Sequence, residues 1–354
     1  MVSEIKMQTA LTTQLKVKNN LFKARTGFKL KMVAKRATFA SLFAVLLASV
    51  AIPGQAAYPE KPIRMTVSFP PGGPVDMAAR IIGNRLSEVL KQSVIVDNKT
   101  GAGGNVGAQM VAKYPNDGYN FLITSSSYAV NPSLYGEKAG YNPQKDFSPV
   151  IVIATQPNVI SVNEKVPVKT IEELKAYAMK EKLSFSSPGS GTTPHLTCEN
   201  LFHVIWKNDI THIPYRGAGP ASVAVVGGET PIGCTAVAGV FQFHKQGKVR
   251  IIGVSSTERV SDLPEVPTLK ELGYPQIQDY TWVAVLAPAG TSADQINTIN
   301  RAIANIVAEP DTKEKLSQAG LIPVGGTVAQ TTTYINNELK HWSKVVIETK
   351  AKPE

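Results

Sequence analysis

Short apolar runs, each followed by a glycine-, proline- or serine-rich turn and then a helical repeat, recur along this chain. That alternation restricts the fold more than any other feature. The first instance is the sharpest: Ile63 to Phe69 reads as a buried strand and Met77 to Leu90 as a helix with apolar residues at helical spacing. Between them lies Pro70-Pro71-Gly72-Gly73-Pro74-Val75-Asp76. Gly72 and Gly73 lack a Cβ, so the backbone can turn tightly there and a ligand can come close. Asp76 is placed to cap the helix, its carboxylate accepting from first-turn amides. Amides not taken by the cap face outward at the positive end of the helix dipole, which suits an anion such as a carboxylate.

The order repeats. Val94 to Asn98 and Phe121 to Thr124 read as further strands, separated by Gly101 to Gly107 and a helix from Ala108, with Ser125-Ser126-Ser127 closing the third strand. Asn131 to Pro143 reads as a polar loop, and Val150 to Ala154 and Asn158 to Val162 as two strands around Gln156-Pro157. A second unit then runs through a helix at Thr170 to Lys180, strands at Leu183 to Ser186, Thr211 to Tyr215, Pro231 to Ala236 and Val249 to Ser255, and intervening helices. Tyr280 to Ala287 reads as a strand returning to the first unit, followed by three helical stretches: Ser292 to Val307, Asp311 to Ala319 and Thr331 to Glu348. This predicts two α/β lobes, each a mostly parallel sheet flanked by helices, joined by two crossing hinge strands. The expected divisions are 1–57 leader, 58–155 first lobe, 156–279 second lobe, and 280–354 completing the first. Ligands in open α/β sheets bind beyond the carboxyl ends of the strands. Two facing sheets would therefore form a cleft lined by Pro71 to Asp76, Ser125 to Ser127, Ser187 to Thr193 and Tyr215 to Gly217.

The formal charge of +10 does not mark a basic binding face, because residues 1–57 supply +8 of it, nine Lys/Arg against Glu4, and the rest carries +2. That leader reads as a secretory signal, with Lys29, Lys31, Lys35 and Arg36 ahead of an apolar stretch from Ala37 to Ile52 and small residues near Ala56 and Ala57 for cleavage. Met32 offers a second start. An exported protein places Cys198 and Cys234 in an oxidising compartment, where an even count suggests a bridge.

Several blocks resemble the receptors of the tripartite tricarboxylate transporters, often called Bug-type receptors. They include Tyr58-Pro59-Glu60-Lys61-Pro62-Ile63, Phe69-Pro70-Pro71-Gly72-Gly73, Asn98 to Asn105, Asp117-Gly118-Tyr119, Asn131 to Tyr135 and Asp146 to Val150. Ser187 to His195, Pro214 to Gly217, Asp262 to Thr268 and Leu286 to Thr291 continue the series in the family's order. The resemblance implies a periplasmic binding protein of type II that closes on a small carboxylate as a monomer. It would deliver the ligand to inner-membrane permease subunits, without cofactor, metal or nucleic acid. By position it carries ligand contact to Phe69, Gly72, Gly73, Val75, Asp76, Ser125, Ser126 and Ser127. In the second lobe it points to Ser187, Gly189, Ser190, Thr192, Thr193, Tyr215, Arg216 and Thr235. Two departures, Pro74-Val75 before Asp76 and Thr235 where relatives often carry Asp, lean toward an apolar or aromatic acid and away from amino acids. A cysteine pair at these places occurs in relatives and supports the bridge.

Other signals carry less. The glycines of Gly101 to Gly107 do not keep dinucleotide spacing and read as a helix-start loop against the cleft. Ser190 and His195 offer a hydrolase alternative, without G-x-S-x-G or an evident orienting acid. A ligand sensor for a signalling partner would share all the receptor residues. Arg216 reads either as a carboxylate partner or as one half of an ion pair. His195, His203, His212, His244 and His341 are scattered without metal-ligand spacing, and Trp206, Trp282 and Trp342 read as core, although Trp282, on the returning strand, could line the cleft.

Overall fold

In the computed structural model, residues 58–353 are described; the leader expected over 1–57, with its cleavage point, lies outside them. The first half contains β1 (Ile63–Val67), α1 (Pro74–Leu90), β2 (Val94–Asn98), α2 (Asn105–Val111), β3 (Asn120–Ser125), α3 (Ser127–Tyr135) and β4 (Phe147–Asn163). The second contains α4 (Ile171–Ala178), β5 (Ser184–Ser187), α5 (Thr193–Glu199), β6 (Thr211–Pro214), α6 (Ala218–Gly227), β7 (Ile232–Ala236), α7 (Val237–Lys245) and β8 (Val249–Val254). The chain returns through β9 (Tyr280–Pro288) and closes with α8 (Ala293–Ala308), α9 (Pro310–Gln318), β10 (Ile322–Pro323) and α10 (Val328–Thr349).

The strands run β2-β1-β3-β9-β4-β7-β5-β6, with β8 and β10 also pairing with β4. β1, β2 and β3 are parallel, as are β5, β6 and β7, while β9 and β4 are antiparallel to their neighbours. The result is one curled mixed sheet with helices on both faces. Each half has a buried core on either side of its strands, and the largest centres on Ile63, Met65, Ile82, Phe121 and Ile303. Trp206, Trp282 and Trp342 are all core side chains.

The two expected strands around Gln156-Pro157 are one continuous strand, β4. Its ladder with β9 runs from Phe147 to Pro157 and its ladder with β7 begins at Asn158. Pro157, which has no N–H to donate, therefore sits where one ladder ends and the other starts. The expected loop from Asn131 is also different, because α3 continues to Tyr135 through Pro132. The missing amide of Pro132 leaves the Tyr128 carbonyl without its helical donor, and the Tyr141 hydroxyl donates to it at 3.0 Å. Cys198 on α5 and Cys234 on β7 are disulfide-bonded.

Candidate functional site: a cavity at the strand ends

In the first half, β1 is flanked by β2 and β3 on opposite sides; in the second, β5 is flanked by β6 and β7. Connections leaving such central strands diverge to opposite faces and open a crevice at their carboxyl ends. The two crevices share a cavity of about 140 Å³, lined after β1 by Phe69 to Val75 and after β5 by Pro188, Thr192, Thr193 and Pro194. Ser125 enters from the end of β3, Gly217 to Pro220 from beyond β6, and Ala236 from the end of β7. Gln156 and Thr281, register partners on β4 and β9, complete it.

Among the described residues, none that lines this cavity is ionisable. Positive potential comes instead from helix starts: α1 begins at Pro74 and α6 at Ala218, both at the cavity wall. The first amides of a helix lack carbonyl partners within it. The hydroxyls are largely spent as donors. Thr281 Oγ1 donates to Asn158 Oδ1 at 2.8 Å, so the 2.8 Å contact between Thr193 and Thr281 carries the Thr193 hydrogen. Ser126 must then donate to Thr193, also at 2.8 Å, which joins the two halves across the cleft. Thr192 Oγ1 donates to the Gly189 carbonyl at 2.8 Å.

A larger chamber of about 520 Å³ adjoins the first and shares Phe69, Pro70, Pro188 and Gly217 with it. Gly101 to Gly104 line it from the first half; Gly189, Ser190, Tyr215 and Arg216 line it from the second. Here the glycines allow close approach: a Cβ on Gly103 would lie 2.8 Å from the Ser190 carbonyl oxygen, and one on Gly191 would lie 2.2 Å from Asn131 Oδ1. Arg216 is exposed, and no hydrogen bond or ion pair engages it among the described residues.

Of the residues expected at the ligand, Phe69, Gly72, Gly73, Val75, Ser125, Thr192 and Thr193 line the inner cavity, and Gly189, Ser190, Tyr215 and Arg216 line the outer chamber. Asp76, Ser126, Ser127, Ser187 and Thr235 line neither. The capping role expected of Asp76 belongs to Gly73, because the helix starts three residues earlier than its apolar spacing indicates, at Pro74. Asp76 is buried behind the turn, where its carboxylate accepts from Gly72 N, Arg80 Nε and Asn98 Nδ2, each at 2.9 Å. Burial alone would raise its pKa, but these hydrogen bonds and the Arg80 charge outweigh it and hold the group below the usual carboxylate value. Ser187 is fully buried, its hydroxyl 2.6 Å from His212 Nε2.

Three of the five histidines are not scattered. His195 and Glu199 on α5, and His203 on the π-helical turn Asn200–Ile205 that continues it, fall on successive turns, and His212 stacks on His195 with centroids 4.0 Å apart. Glu199 lies 2.6 Å from His203 Nδ1 and 3.4 Å from His195 Nε2. Desolvation opposes its ionisation, but hydrogen bonds from the two histidines prevail and bring its pKa down to about 2. Desolvation and the neighbouring His195 lower His212 to about 3. Ligand atoms of His195, Glu199 and His212 lie within 4.8 Å of one another. The His195 and His212 rings nevertheless stack at 26° to each other, whereas a metal must lie near the plane of each imidazole that binds it. The cluster is a stacked, hydrogen-bonded unit beneath the Ser187 turn. Nor are Ser190 and His195 joined as nucleophile and base: His195 Nδ1 accepts from Gly191 N at 3.4 Å, and its Nε2 faces Glu199.

The curled sheet with a ligand-sized cavity at opposed strand ends defines a periplasmic-binding-protein-like receptor fold. Residues 78–351 match the family described as "Tripartite tricarboxylate transporter family receptor", and the chain belongs to that family. Protein BugT of Bordetella pertussis is 36% identical over 313 residues, spanning 87% of this chain and 95% of its own. A protein encoded between tcbD and tcbE in Pseudomonas sp. strain P51 is 37% identical over 295 residues, 82% of this chain and 87% of its own. Among solved structures, an R. palustris protein with adipate superposes with a TM-score of 0.79 at 31% identity, covering 84% of this chain and all of that one. The malate-bound MatC of Rhodopseudomonas palustris gives 0.77 at 27% identity, covering 82% of this chain and all of that one.

Proposed function

We propose that this protein binds a small organic carboxylate between its two lobes in the periplasm, as a monomer, and delivers it to the membrane subunits of a tripartite tricarboxylate-type permease. The observation that carries this reading is the inner cavity, built from turns of both lobes and walled by helix starts, with no ionisable side chain among the described residues that line it. Such a cavity accepts an anion through backbone dipoles. It offers no carboxylate to an ammonium, so amino acids are disfavoured. Six prolines, Pro70, Pro71, Pro74, Pro188, Pro194 and Pro220, with Phe69 and Val75, favour an apolar body. Solved relatives with adipate and malate support the carboxylate class. Ligand touching both lobes favours their closure, because those contacts exist together only in the closed state.

A thermal-shift screen of dicarboxylates, aromatic acids, keto acids and amino acids tests the assignment. A carboxylate at a hundred times its Kd stabilises by about 2.7 kcal/mol and raises Tm, while amino acids leave it unchanged. Turnover of an ester without any carboxylate shift would overturn the proposal in favour of a hydrolase.

A further inference from the structure

Gln156 lies on β4 where the strand passes between the lobes, and its side chain is fully buried at the cavity wall. Its Oε1 accepts from Ala238 N, in the first turn of α7, at 3.1 Å. That bond fixes the orientation of the amide, since a backbone N–H needs an acceptor opposite it. Nε2 then carries two N–H bonds with no hydrogen-bond partner among the described residues. A buried donor left unpaired is costly, so such a group in a cavity wall selects for an acceptor. Of the hydroxyls on the wall, those of Thr192, Thr193 and Thr281 do not compete for this role. The hydrogens of Thr192, Thr193 and Thr281 are already engaged by Gly189, Thr281 and Asn158, and Ser125 shares a hydroxyl contact with Ser127.

We infer that Gln156 is a specificity-determining ligand contact: its Nε2 donates to an oxygen at the far end of an acid whose body lies among the prolines. The inference rests on the receptor reading above and narrows its ligand class. The preferred ligand is an apolar-bodied carboxylate carrying a second oxygen function, either another carboxylate or a hydroxyl. An acid ending in hydrocarbon would leave the amide unpaired and bind more weakly.

The test uses two probe pairs that differ only at the far end, adipate with hexanoate and 4-hydroxybenzoate with benzoate. Calorimetry on the purified protein and on Gln156→Leu gives the four affinities of each. The oxygen-bearing member of at least one pair should bind the unsubstituted protein more tightly. In Gln156→Leu it should weaken by about tenfold or more, with its hydrocarbon-ended partner unchanged within about twofold. The hydrocarbon-ended acids also report whether the variant's cavity is intact. An unchanged preference within both pairs would overturn the role of Gln156 while leaving the receptor reading in place, and so would equal loss for both members. Binding of none of the four probes by the unsubstituted protein would remove the carboxylate reading and this inference with it.

Discussion

Asp76 separates two uses of a carboxylate beside a ligand turn, contact with the ligand or bracing of the turn. It is 2% exposed and accepts from the Gly72 amide, Arg80 and Asn98. Asn98 Nδ2 also donates to the Phe69 carbonyl at 2.9 Å, so Asn98 and the carboxylate together tie both ends of the turn to β2. Asp76→Asn keeps the shape but turns an amide NH₂ toward donors that need an acceptor. Arg80 is half exposed and can return to water, so little of the loss is assigned to it. The Gly72 and Asn98 bonds remain, and disrupting charge-assisted hydrogen bonds of this kind costs about 1.5–3 kcal/mol. Urea denaturation should show that loss as a lower midpoint with an unchanged m-value. The pH dependence follows the depressed pKa. The stabilisation is fully present above the unfolded value near 3.8 and is lost as pH falls through the lower folded one, so variant and parent should converge in acid. A destabilisation under about 0.5 kcal/mol at neutral pH, or a gap that persists undiminished in acid, would refute the bracing role.

The disulfide ties the helix that begins at the cavity to the strand that ends there, closing a separation of 36 residues; its removal in Cys198→Ala/Cys234→Ala should cost about 3–4 kcal/mol by chain entropy, read by urea denaturation. A loss below about 1 kcal/mol would show that the loop is already restrained in the unfolded chain. Gly73→Val should preserve Tm and abolish ligand-induced stabilisation: Gly73 has φ −83°, and a Cβ there meets only Pro70 O at 3.5 Å. Unchanged ligand shifts would remove the first turn from the site. The Glu199 hydrogen bond raises His203 above its usual 6.5 against the lowering effect of burial. That pairing stabilises fully below pH 6.5 and weakens as pH rises through the folded value. Glu199→Gln should therefore move the NMR titration of His203 downward, and an unmoved midpoint would contradict the pairing.

How far the site could be read from residues alone depended on which element carried each part. Turns at strand ends announce themselves, because Gly72-Gly73, Ser187 to Thr193 and the glycine after Arg216 interrupt apolar runs. Their convergence follows from the parallel order, and Phe69, Val75, Thr192 and Thr193 meet at one cavity as that order requires. The histidine cluster was less accessible. The spacing of His195, Glu199 and His203 places them on one helix face, but His212 joins them only through the pairing of β5 with β6. Gln156 and Thr281 left no trace of their role. They lie far apart in sequence and become neighbours through one register of the β4–β9 ladder, which a residue pattern of period two does not specify. The same strand, continuous through Pro157, belongs to both halves of the sheet. The turns can thus supply amides for an anion while the shared strand presents a donor to the ligand's other end. Selectivity among acids would then be set at the strand that both lobes share, and affinity for their charge at the turns.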